Sequence, residues 1–248
     1  MNDSTALSIK ELSYTYGRTG RQIKALKDLD LQVSKGHIFG FIGPNGAGKT
    51  TTIKLMLGIL TPRTGSVSVL GGCPSSPRTR ARIGYMPEIS DYYGFLSARE
   101  LLVAYGDIFN INRDVLAERI ERLLDLTGLT SAAGRRLREL SKGMLQKVSF
   151  AQSLINDPDI LVLDEPTSGL DPIARQSMRA VLSAQRRRGK TVFFSSHELS
   201  EVELICDRIG ILRDGELVAA GSKEEVLARK GRQRTLEQFF VDIIKEDR

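Results

Sequence analysis

The sequence predicts an α/β fold: a parallel sheet, an N-terminal antiparallel β-subdomain and an inserted α-helical subdomain. Three observations lead to this prediction. The dense apolar run Ile38–Ile42 leads into a glycine-rich loop and then a helical segment. The continuous apolar runs Ile160–Leu163 and Val192–Phe194 are typical of strands buried on both faces of a parallel sheet. Between these regions, residues 90–157 carry apolar residues at helical spacing.

The N-terminal residues have the alternating apolar pattern of strands. These positions are Leu7, Ile9 and Leu12, followed by Tyr14 and Tyr16, and then Leu29, Leu31 and Val33. A helix is expected from about Gly48 to Leu57, and Gly58 ends it. Strand, glycine loop and helix in this order are the context in which a phosphate-binding loop is expected.

Helices dominate the inserted subdomain. The predicted helices run from Ser97 to about Phe109, from Asn112 to Leu126, and from Ser141 through Met144, Val148, Ala151 and Ile155. Ser97 and Glu100 form a capping box at the start of the first helix. The apolar spacing of the third helix, four, three and four residues, places one face toward a core.

Strands and helices alternate again after the insert. Asp171 and Pro172 are expected to cap and start a helix that ends at Gly189. The closing elements are strands Ile209–Leu212 and Leu217–Ala219 joined by the turn Asp214-Gly215, and two helices opened by the capping boxes Ser222–Glu225 and Thr235–Gln238.

Composition indicates an ordinary globular chain. Of its 248 residues, 41% are hydrophobic and 27% are charged, with 36 Lys and Arg against 30 Asp and Glu, a net charge of +6. These values exclude the disordered and low-complexity classes. No apolar run approaches the roughly 18–20 residues of a membrane-spanning helix, and the N-terminus lacks the features of a signal peptide. We therefore expect a cytoplasmic protein.

The cysteines and arginines favour neither a metal site nor a nucleic-acid partner. Cys73 and Cys206 lie far apart without a CxxC partner, so we expect two inert, reduced thiols. The arginines form short clusters, at Arg78/Arg80/Arg82, Arg135/Arg136/Arg138, Arg186–Arg188 and Arg232/Arg234. Such clusters favour a solvated face or proximity to anionic lipid, with nucleic acid as the weaker alternative.

A complete phosphate-loop motif, GxxxxGK[ST], follows the strand Ile38–Ile42. Its residues are Gly43, Pro44, Asn45, Gly46, Ala47, Gly48, Lys49 and Thr50. The glycines let backbone N–H groups close around a phosphate, and the following helix adds the positive end of its dipole. Lys49 can reach the terminal phosphates, and the Thr50 hydroxyl can ligate Mg²⁺.

Two carboxylates, Asp164 and Glu165, follow the buried strand Ile160–Leu163. Asp164 is expected at the carboxyl end of that strand, the edge at which open α/β sheets bind ligands. A lone carboxylate there is costly unless a cation such as Mg²⁺ compensates it. Glu165 can orient and deprotonate an attacking water. A solvated Asp-Glu pair is the alternative, and the phosphate loop disfavours it.

The ordered set of motifs resembles the nucleotide-binding subunit of an ATP-binding-cassette (ABC) transporter over essentially the whole chain. After the phosphate loop come Met86-Pro87-Glu88 at the Q-loop, Leu140-Ser141-Lys142-Gly143-Met144 at the signature, Asp164-Glu165, Ser168-Gly169-Leu170-Asp171 at the D-loop, and His197 at the switch position. The resemblance implies a single ATPase domain over residues 1–248. Its P-loop NTPase core would comprise 1–89 and 158–220, its helical subdomain 90–157, and its closing helices 221–248.

The resemblance also implies the cofactors and the roles of the site residues. The expected ATP contacts are Tyr16, Gly43–Thr50, Thr51, Ser141, Gly143 and Asp171; the Mg²⁺ contacts are Thr50, Asp164 and Glu88; the catalytic residues are Glu165 and His197. Ser141 and Gly143 open a helix whose N-terminus favours anions, and they would face the γ-phosphate held by a second copy. The resemblance thus implies a head-to-tail dimer, and the complete motif set favours a homodimer.

Several positions leave alternatives or depart from the family pattern. Tyr16 matches the aromatic residue that the family stacks on adenine, but Tyr14 lies on the same strand face and competes for that role. Packing within a small sheet is a further alternative. Glu88 stands where most of the family has Gln, so a role through Mg²⁺ or water is expected. Lys142 and Met144 replace the usual Gly and Gln of the signature.

These variants, with the segment Thr235–Phe240, resemble bacterial exporter-type subunits, which pair with separate integral membrane permease subunits. They move drugs, antibiotics, lipids or polysaccharides outward, and lie at the inner face of the cell membrane. Within loop 89–96, Tyr92, Tyr93 and Phe95 would then dock the permease, and subdomain packing is the equal alternative. The alternative function is a soluble ABC-type ATPase with a non-membrane client, such as cofactor assembly.

Overall fold

Two β-sheets organise the part of the chain that the computed structural model describes, residues 4–17, 22–228 and 235–245. The strands are β1 (Thr5–Tyr16), β2 (Ile23–Ser34), β3 (Ile38–Ile42), β4 (Thr64–Val69), β5 (Ile83–Met86), β6 (Ile160–Asp164), β7 (Thr191–Ser196), β8 (Arg208–Arg213) and β9 (Glu216–Ser222). The smaller sheet has the order β2-β1-β4 and is antiparallel. The larger sheet has the order β5-β6-β7-β3-β8-β9.

Helices surround these sheets. They are α1 (Lys49–Met56), α2 (Pro77–Arg80), α3 (Ala98–Ile108), α4 (Arg113–Leu126), α5 (Lys142–Ser153), α6 (Pro172–Arg187), α7 (Leu199–Ile205), α8 (Lys223–Ala228) and α9 (Leu236–Lys245). Helices α3, α4 and α5 make up the insert, which confirms the predicted helical character of this region.

In the described part of the larger sheet, β5, β6, β7, β3 and β8 run parallel, and β9 is antiparallel to β8. Every residue of β3, β6 and β7 is buried, as their continuous apolar sequences predict. The β8–β9 hairpin turns at Asp214 and Gly215, both with positive φ, as the sequence of the turn requires. Because the carboxyl ends of parallel strands meet at one edge, the loops after β3, β6 and β7 lie together.

The large sheet divides the core into two layers. Ile38 and Ile42 of β3 pack with the apolar residues of the insert and the closing helices. Phe39 and Phe41 pack on the opposite face, with the small sheet and α1. Successive residues of a strand point to opposite faces of the sheet. Because both faces of this sheet are covered, apolar residues do not alternate with polar ones along β3.

Capping side chains fix several helix starts. Ser97 and Glu100 form the predicted reciprocal capping box of α3. The predicted boxes at α8 and α9 are also present: Ser222 and Glu225 exchange hydrogen bonds, as do Thr235 and Gln238. Asn112 caps α4 in addition. These contacts satisfy backbone N–H groups that a helix N-terminus otherwise leaves unpaired.

Four short elements have no strong signal in the sequence. Strand β4 lies at the edge of the small sheet and exposes much of its polar sequence. Strand β5 and helix α2 have only four residues each. Helix α7 begins without a capping hydrogen bond from its N-cap side chain. Contacts with the rest of the fold, rather than local propensity, form such elements.

The charged and thiol side chains behave largely as predicted. The described arginine clusters are exposed, whereas Arg232 and Arg234 lie outside the described residues. Both cysteines are free, with Cys73 exposed and Cys206 buried, and burial raises the pKa of the Cys206 thiol. In the described part of the chain, no helix is both long and apolar enough to span a bilayer.

Gly84 lets the end of α5 approach β5 closely. A Cβ built at Gly84 would lie 2.0 Å from the carbonyl oxygen of Ser153. We predict that Gly84→Ala lowers the free energy of unfolding by about 1–3 kcal/mol, since a packed backbone carbonyl must move. Urea unfolding provides the measurement. Gly134→Ala is the matched control, because a Cβ there meets no atom within 4 Å; equal unfolding midpoints for both variants would contradict this account of the packing.

Candidate functional site

A cleft of about 510 Å³ opens at the edge where the parallel strands end. Its lining residues are Tyr16, Ile23, Lys24, Ala25, Pro44, Asn45, Gly46, Ala47, Gly48, Lys49, Thr50, Thr51, Glu88, Glu165 and His197. The cleft therefore brings together most of the predicted site residues, which come from five separate stretches of the chain. Of the predicted residues, Gly43, Asp164, Ser141, Gly143 and Asp171 do not line it.

The glycine loop takes a backbone shape that side chains would prevent. Gly48 has a φ of 107°, and a Cβ there would lie 2.6 Å from the carbonyl oxygen of Ala25 on β2. Helix α1 starts at the next residue, and no side chain caps its N-terminus. The first N–H groups of α1 are therefore available to an anion, and the helix dipole favours negative charge at that point.

Lys49 is held by the loop that it belongs to. Its side chain is only 7% exposed, and its Nζ donates to the carbonyl oxygens of Gly43 at 2.7 Å and Pro44 at 3.4 Å. The same Nζ lies 3.5 Å from Oε1 of Glu165. One carboxylate and two carbonyl oxygens therefore surround this buried ammonium group at the floor of the cleft.

Ser195, on β7, forms hydrogen bonds with both acidic residues at the end of β6. Asp164 is 2% exposed, and the Ser195 hydroxyl donates to its Oδ1 at 2.5 Å. The same hydroxyl oxygen accepts the backbone N–H of Glu165 at 3.0 Å. Burial and the neighbouring Asp164 charge raise the pKa of Tyr85 to about 12, so a neutral phenol lies beside this carboxylate. Asp164 is thereby fixed behind the cleft rather than in it.

Glu165 is positioned from two sides, and its backbone is strained. Its φ of 50° is rare for a residue with a side chain. Its Oε1 faces Lys49, while its Oε2 lies 2.8 Å from Nδ1 of His197 and accepts the backbone N–H of His197 at 3.3 Å. Because a carboxylate only accepts hydrogen bonds, this pair requires the His197 tautomer with the proton on Nδ1. The arrangement aims a carboxylate into the cleft.

The oxygen groups around the cleft fit a hard cation shared with a phosphate. Thr50 lies in the first turn of α1 at the cleft wall, and the exposed Glu88 follows β5 at the same sheet edge. In the described residues, no group of three or more His, Cys, Asp or Glu side chains could hold a metal ion. A Mg²⁺ ion at this position would thus take few protein oxygens and several from phosphate and water, as Mg²⁺ commonly does.

Tyr16, and not Tyr14, lines the cleft. The two rings contact edge to face, with centroids 5.0 Å apart, and the Tyr16 hydroxyl lies 3.3 Å from Oγ1 of Thr51. Ile23, which pairs with Tyr16 across the β1–β2 ladder, is an exposed apolar neighbour. Together they offer an apolar platform at the mouth of the cleft, suited to a flat aromatic ring.

The predicted anion site at the signature lies on a second surface, outside the cleft. Ser141 caps α5, and its hydroxyl oxygen accepts the backbone N–H of Met144 at 3.3 Å. Asp171 caps α6 by accepting the N–H of Ala174 at 2.9 Å. Gly143 packs near Gly169, since a Cβ at Gly143 would lie 3.9 Å from the Gly169 carbonyl oxygen. The signature and the D-loop are therefore neighbours.

Two contacts reveal residues that the sequence does not single out. The first is Ser195, whose hydroxyl contacts both Asp164 and the backbone N–H of Glu165. Gln146 of α5 is buried, and its Nε2 donates to the carbonyl oxygens of Glu165 at 3.4 Å and Pro166 at 3.3 Å. The buried face of α5 also carries Ser149 and Ser153, so the apolar pattern of this helix does not single out Gln146. Ser195 is recognisable only once the pairing of β6 with β7 is known.

The aromatic residues of loop 89–96 fall into two groups. Tyr92 packs against the core, and burial raises its pKa to about 12. Tyr93 and Phe95 are 73% and 65% exposed, and their ring centroids lie 5.7 Å apart. Tyr92 accordingly belongs to subdomain packing, whereas Tyr93 and Phe95 form an apolar surface open to a partner.

Known proteins are similar to this chain in sequence. The family model described as ABC transporter matches residues 26–168. The Nod factor export ATP-binding protein I of Cupriavidus pinatubonensis is 37% identical over 89% of this chain and 67% of its own length. The probable multidrug ABC transporter ATP-binding protein YbhF of Escherichia coli is 36% identical over 98% of this chain and 42% of its own length.

Solved structures confirm the predicted α/β fold. A structure described as the ATP binding subunit of an ABC transporter has a TM-score of 0.89 at 30% identity, covering 97% of this chain and 100% of that chain. A bacterial ABC transporter cassette, MJ0796, described as dimeric, has a TM-score of 0.80 at 25% identity, covering 87% of this chain and 98% of its own.

Ser195 provides a direct test of the carboxylate geometry. We predict that Ser195→Ala lowers the free energy of unfolding by about 1–3 kcal/mol, because it leaves a buried carboxylate oxygen and a buried N–H unpaired. It should also slow ATP turnover, because Glu165 loses its backbone anchor. Turnover per folded molecule and urea unfolding are measured together.

Ser153→Ala is the matched control for this prediction. Ser153 is equally buried, but its hydroxyl donates to the carbonyl oxygen of Phe150, within α5. Its removal should cost stability and leave the turnover of the folded protein near that of wild type. Equal turnover in the Ser195 and Ser153 variants would show that Ser195 does not position the carboxylates.

Proposed function

Because the chain belongs to the ABC transporter family, whose ATP-binding subunits hydrolyse ATP to drive transport, we propose that it powers outward transport through a separate membrane permease. The names of two relatives, Nod factor export and multidrug transport, support the outward direction. The cargo classes that this proposal includes are drugs, antibiotics, lipids and polysaccharides. One observation supports ATP hydrolysis by this chain above all others. A phosphate loop, a positioned glutamate and a histidine line a single cleft.

Each group in the cleft has a distinct part in the proposed hydrolysis. Gly43 and Pro44 form the start of the loop, and the residues from Asn45 to Thr51 surround the phosphates with backbone N–H groups. Lys49 supplies positive charge to the terminal phosphates. Tyr16 stacks on the adenine ring. Glu165 accepts a proton from the attacking water, and His197 holds the carboxylate of Glu165 in place through its Nδ1. When the terminal phosphate is present, His197 also contacts it.

Thr50, Asp164 and Glu88 are the groups proposed to hold Mg²⁺. When bound, Mg²⁺ neutralises charge on the phosphate oxygens. Thr50 offers its hydroxyl from the first turn of α1, and Glu88 offers carboxylate oxygens from the loop after β5. The buried Asp164 adds negative charge behind the cleft. A carboxylate at position 88 suits such a role. Its oxygens only accept hydrogen bonds, so it cannot donate a hydrogen bond to a phosphate oxygen.

We propose that a second copy of the chain completes each cleft. Ser141, Gly143 and Asp171 lie outside the cleft of their own chain, at two helix N-termini that favour anions. In a head-to-tail homodimer, the signature of one copy would face the γ-phosphate held by the other. Two ATP molecules would then be buried between the copies, and hydrolysis would let the copies separate.

The permease is proposed to dock on the loop after β5. Tyr93 and Phe95 expose an apolar surface there, and Ile89 beside Glu88 is exposed as well. Motion at the cleft would reach this surface through the few residues that separate Glu88 from Tyr93. The chain would then act at the inner face of the cell membrane, as one ATPase domain over residues 1–248.

Glu165→Gln tests the proposed base. We predict that this variant binds ATP, hydrolyses it about 10²–10⁴-fold more slowly and accumulates as a closed dimer. Steady-state turnover and ATP-dependent dimerisation by size-exclusion chromatography provide the measurement. Near-normal turnover would remove Glu165 from this role.

Lys49→Ala is the contrasting variant. It removes the charge that faces the phosphates, so it should lose ATP binding and therefore dimerisation as well. Retained tight binding of ATP would contradict the assignment of the phosphate loop, whatever the outcome for Glu165.

Co-purification tests the proposed partner. The tagged chain is extracted from native membranes in mild detergent, and the proteins that remain in stoichiometric amounts are identified. A polytopic membrane protein is the expected result, and its deletion should reduce efflux of the cargo. A soluble scaffold, a ribosome or nucleic acid in its place would overturn the proposal and favour a non-membrane client.

A further inference from the structure

Arg175, in the first turn of α6, contacts both loops that flank the proposed catalytic groups. Its Nε donates to the carbonyl oxygen of Leu170 at 3.0 Å, immediately before Asp171 in the D-loop. Its two terminal nitrogens bind the carboxylate of Glu198, with 3.1 Å between Nη2 and Oε1. Glu198 directly follows His197. One planar guanidinium therefore joins the residue before Asp171 to the residue after His197.

The Glu198 end of this contact is held firmly. The backbone N–H of Glu198 donates to the Ser196 hydroxyl at 2.9 Å, and that hydroxyl lies 3.3 Å from the carbonyl oxygen of Glu198. His197 lies between these two residues, so a displacement of Glu198 moves the His197 backbone. The His197 ring and backbone N–H both contact Oε2 of Glu165. The chain of contacts thus runs from Leu170 to Glu165.

A second arginine on α6, Arg179, also joins this helix to α7, so Arg175 is not needed for that purpose. Arg179 binds both oxygens of Glu201 on α7, at 2.8 and 3.0 Å, and Glu201 is 4% exposed. Arg175 is 3.9 Å from Glu201 and makes its closer contacts with the loops. The Arg179–Glu201 ion pair therefore joins α6 to α7, whereas Arg175 binds the carbonyl oxygen of Leu170 in the D-loop.

We propose that Arg175 is a positioning residue that couples the D-loop to His197 and, through it, to Glu165. The proposal rests on the proposed function, in which Asp171 meets the second copy and Glu165 activates water. Contact of the second copy at Asp171 shifts the Leu170 carbonyl, and the rigid guanidinium carries that shift to Glu198. Arg175 does not line the cleft, so it acts on hydrolysis and not on nucleotide binding.

The test compares variants of the full chain under steady-state ATP turnover. Arg175→Ala should lower kcat by about 10- to 100-fold, the usual effect of a misplaced catalytic group, with KM for ATP changed by less than about threefold. Arg175→Lys should not rescue kcat, because one ammonium cannot bridge the Leu170 carbonyl and hold Glu198 bidentately. Thermal unfolding of each variant reports the folded fraction.

Arg179→Ala is the matched control, since it breaks a more buried ion pair between the same helices. It should lower stability and leave the kcat of the folded protein within about twofold of wild type. A double-mutant cycle on kcat tests whether Arg175 acts on turnover through Glu198. Glu198→Gln combined with Arg175→Ala should slow kcat no further than Arg175→Ala alone, because both changes break the same contact.

Two outcomes would overturn the proposal. One is a kcat of Arg175→Ala within about twofold of wild type; the other is full recovery of kcat in Arg175→Lys. Glu165→Gln, measured alongside, separates this proposal from the proposed function. A slow Glu165→Gln with a normal Arg175→Ala refutes only the role of Arg175, whereas a normal Glu165→Gln refutes the proposed base itself.

Discussion

Two adjacent buried carboxylates at the end of β6 set the constraint on which the rest of the site depends. Burying such charges is costly unless each has a partner. Asp164 receives the Ser195 hydroxyl, and Glu165 lies between Lys49 and His197. These partners come from β7, from the loop after β7 and from the start of α1, the helix that follows β3. The order β6-β7-β3 is therefore the arrangement that brings the compensating groups to the carboxylates.

The same sheet edge explains why one chain offers two separate functional surfaces. Parallel strands bring the phosphate loop, Glu88 and Glu165 to one cleft. Ser141 and Asp171 cap two helices and do not line that cleft. Contacts within the chain join the two surfaces: Gln146 of α5 donates to the carbonyl oxygen of Glu165. A second copy at the signature surface would therefore meet residues that are already in contact with Glu165, as the proposed dimer requires.

Much of this site follows from contiguous sequence, because strand, loop and helix are encoded together. The phosphate loop and Asp164-Glu165 follow continuous apolar strands, so their place at the sheet edge is predictable. Ser195 is not, because its role depends on the register that pairs it with Asp164 across two strands. The pairing of Tyr16 with Ile23 likewise needs the β1–β2 register, and only packing separates the buried Tyr92 from the exposed Tyr93.

The most direct test of the account is complementation between two inactive variants, Glu165→Gln and Ser141→Arg. If each site combines the cleft of one copy with the signature of another, a mixed dimer contains one site with both defects and one intact site. An equal mixture should then recover about a quarter of wild-type ATP turnover, since half of the dimers are mixed. A mixture no more active than either variant alone would contradict a site shared between two copies.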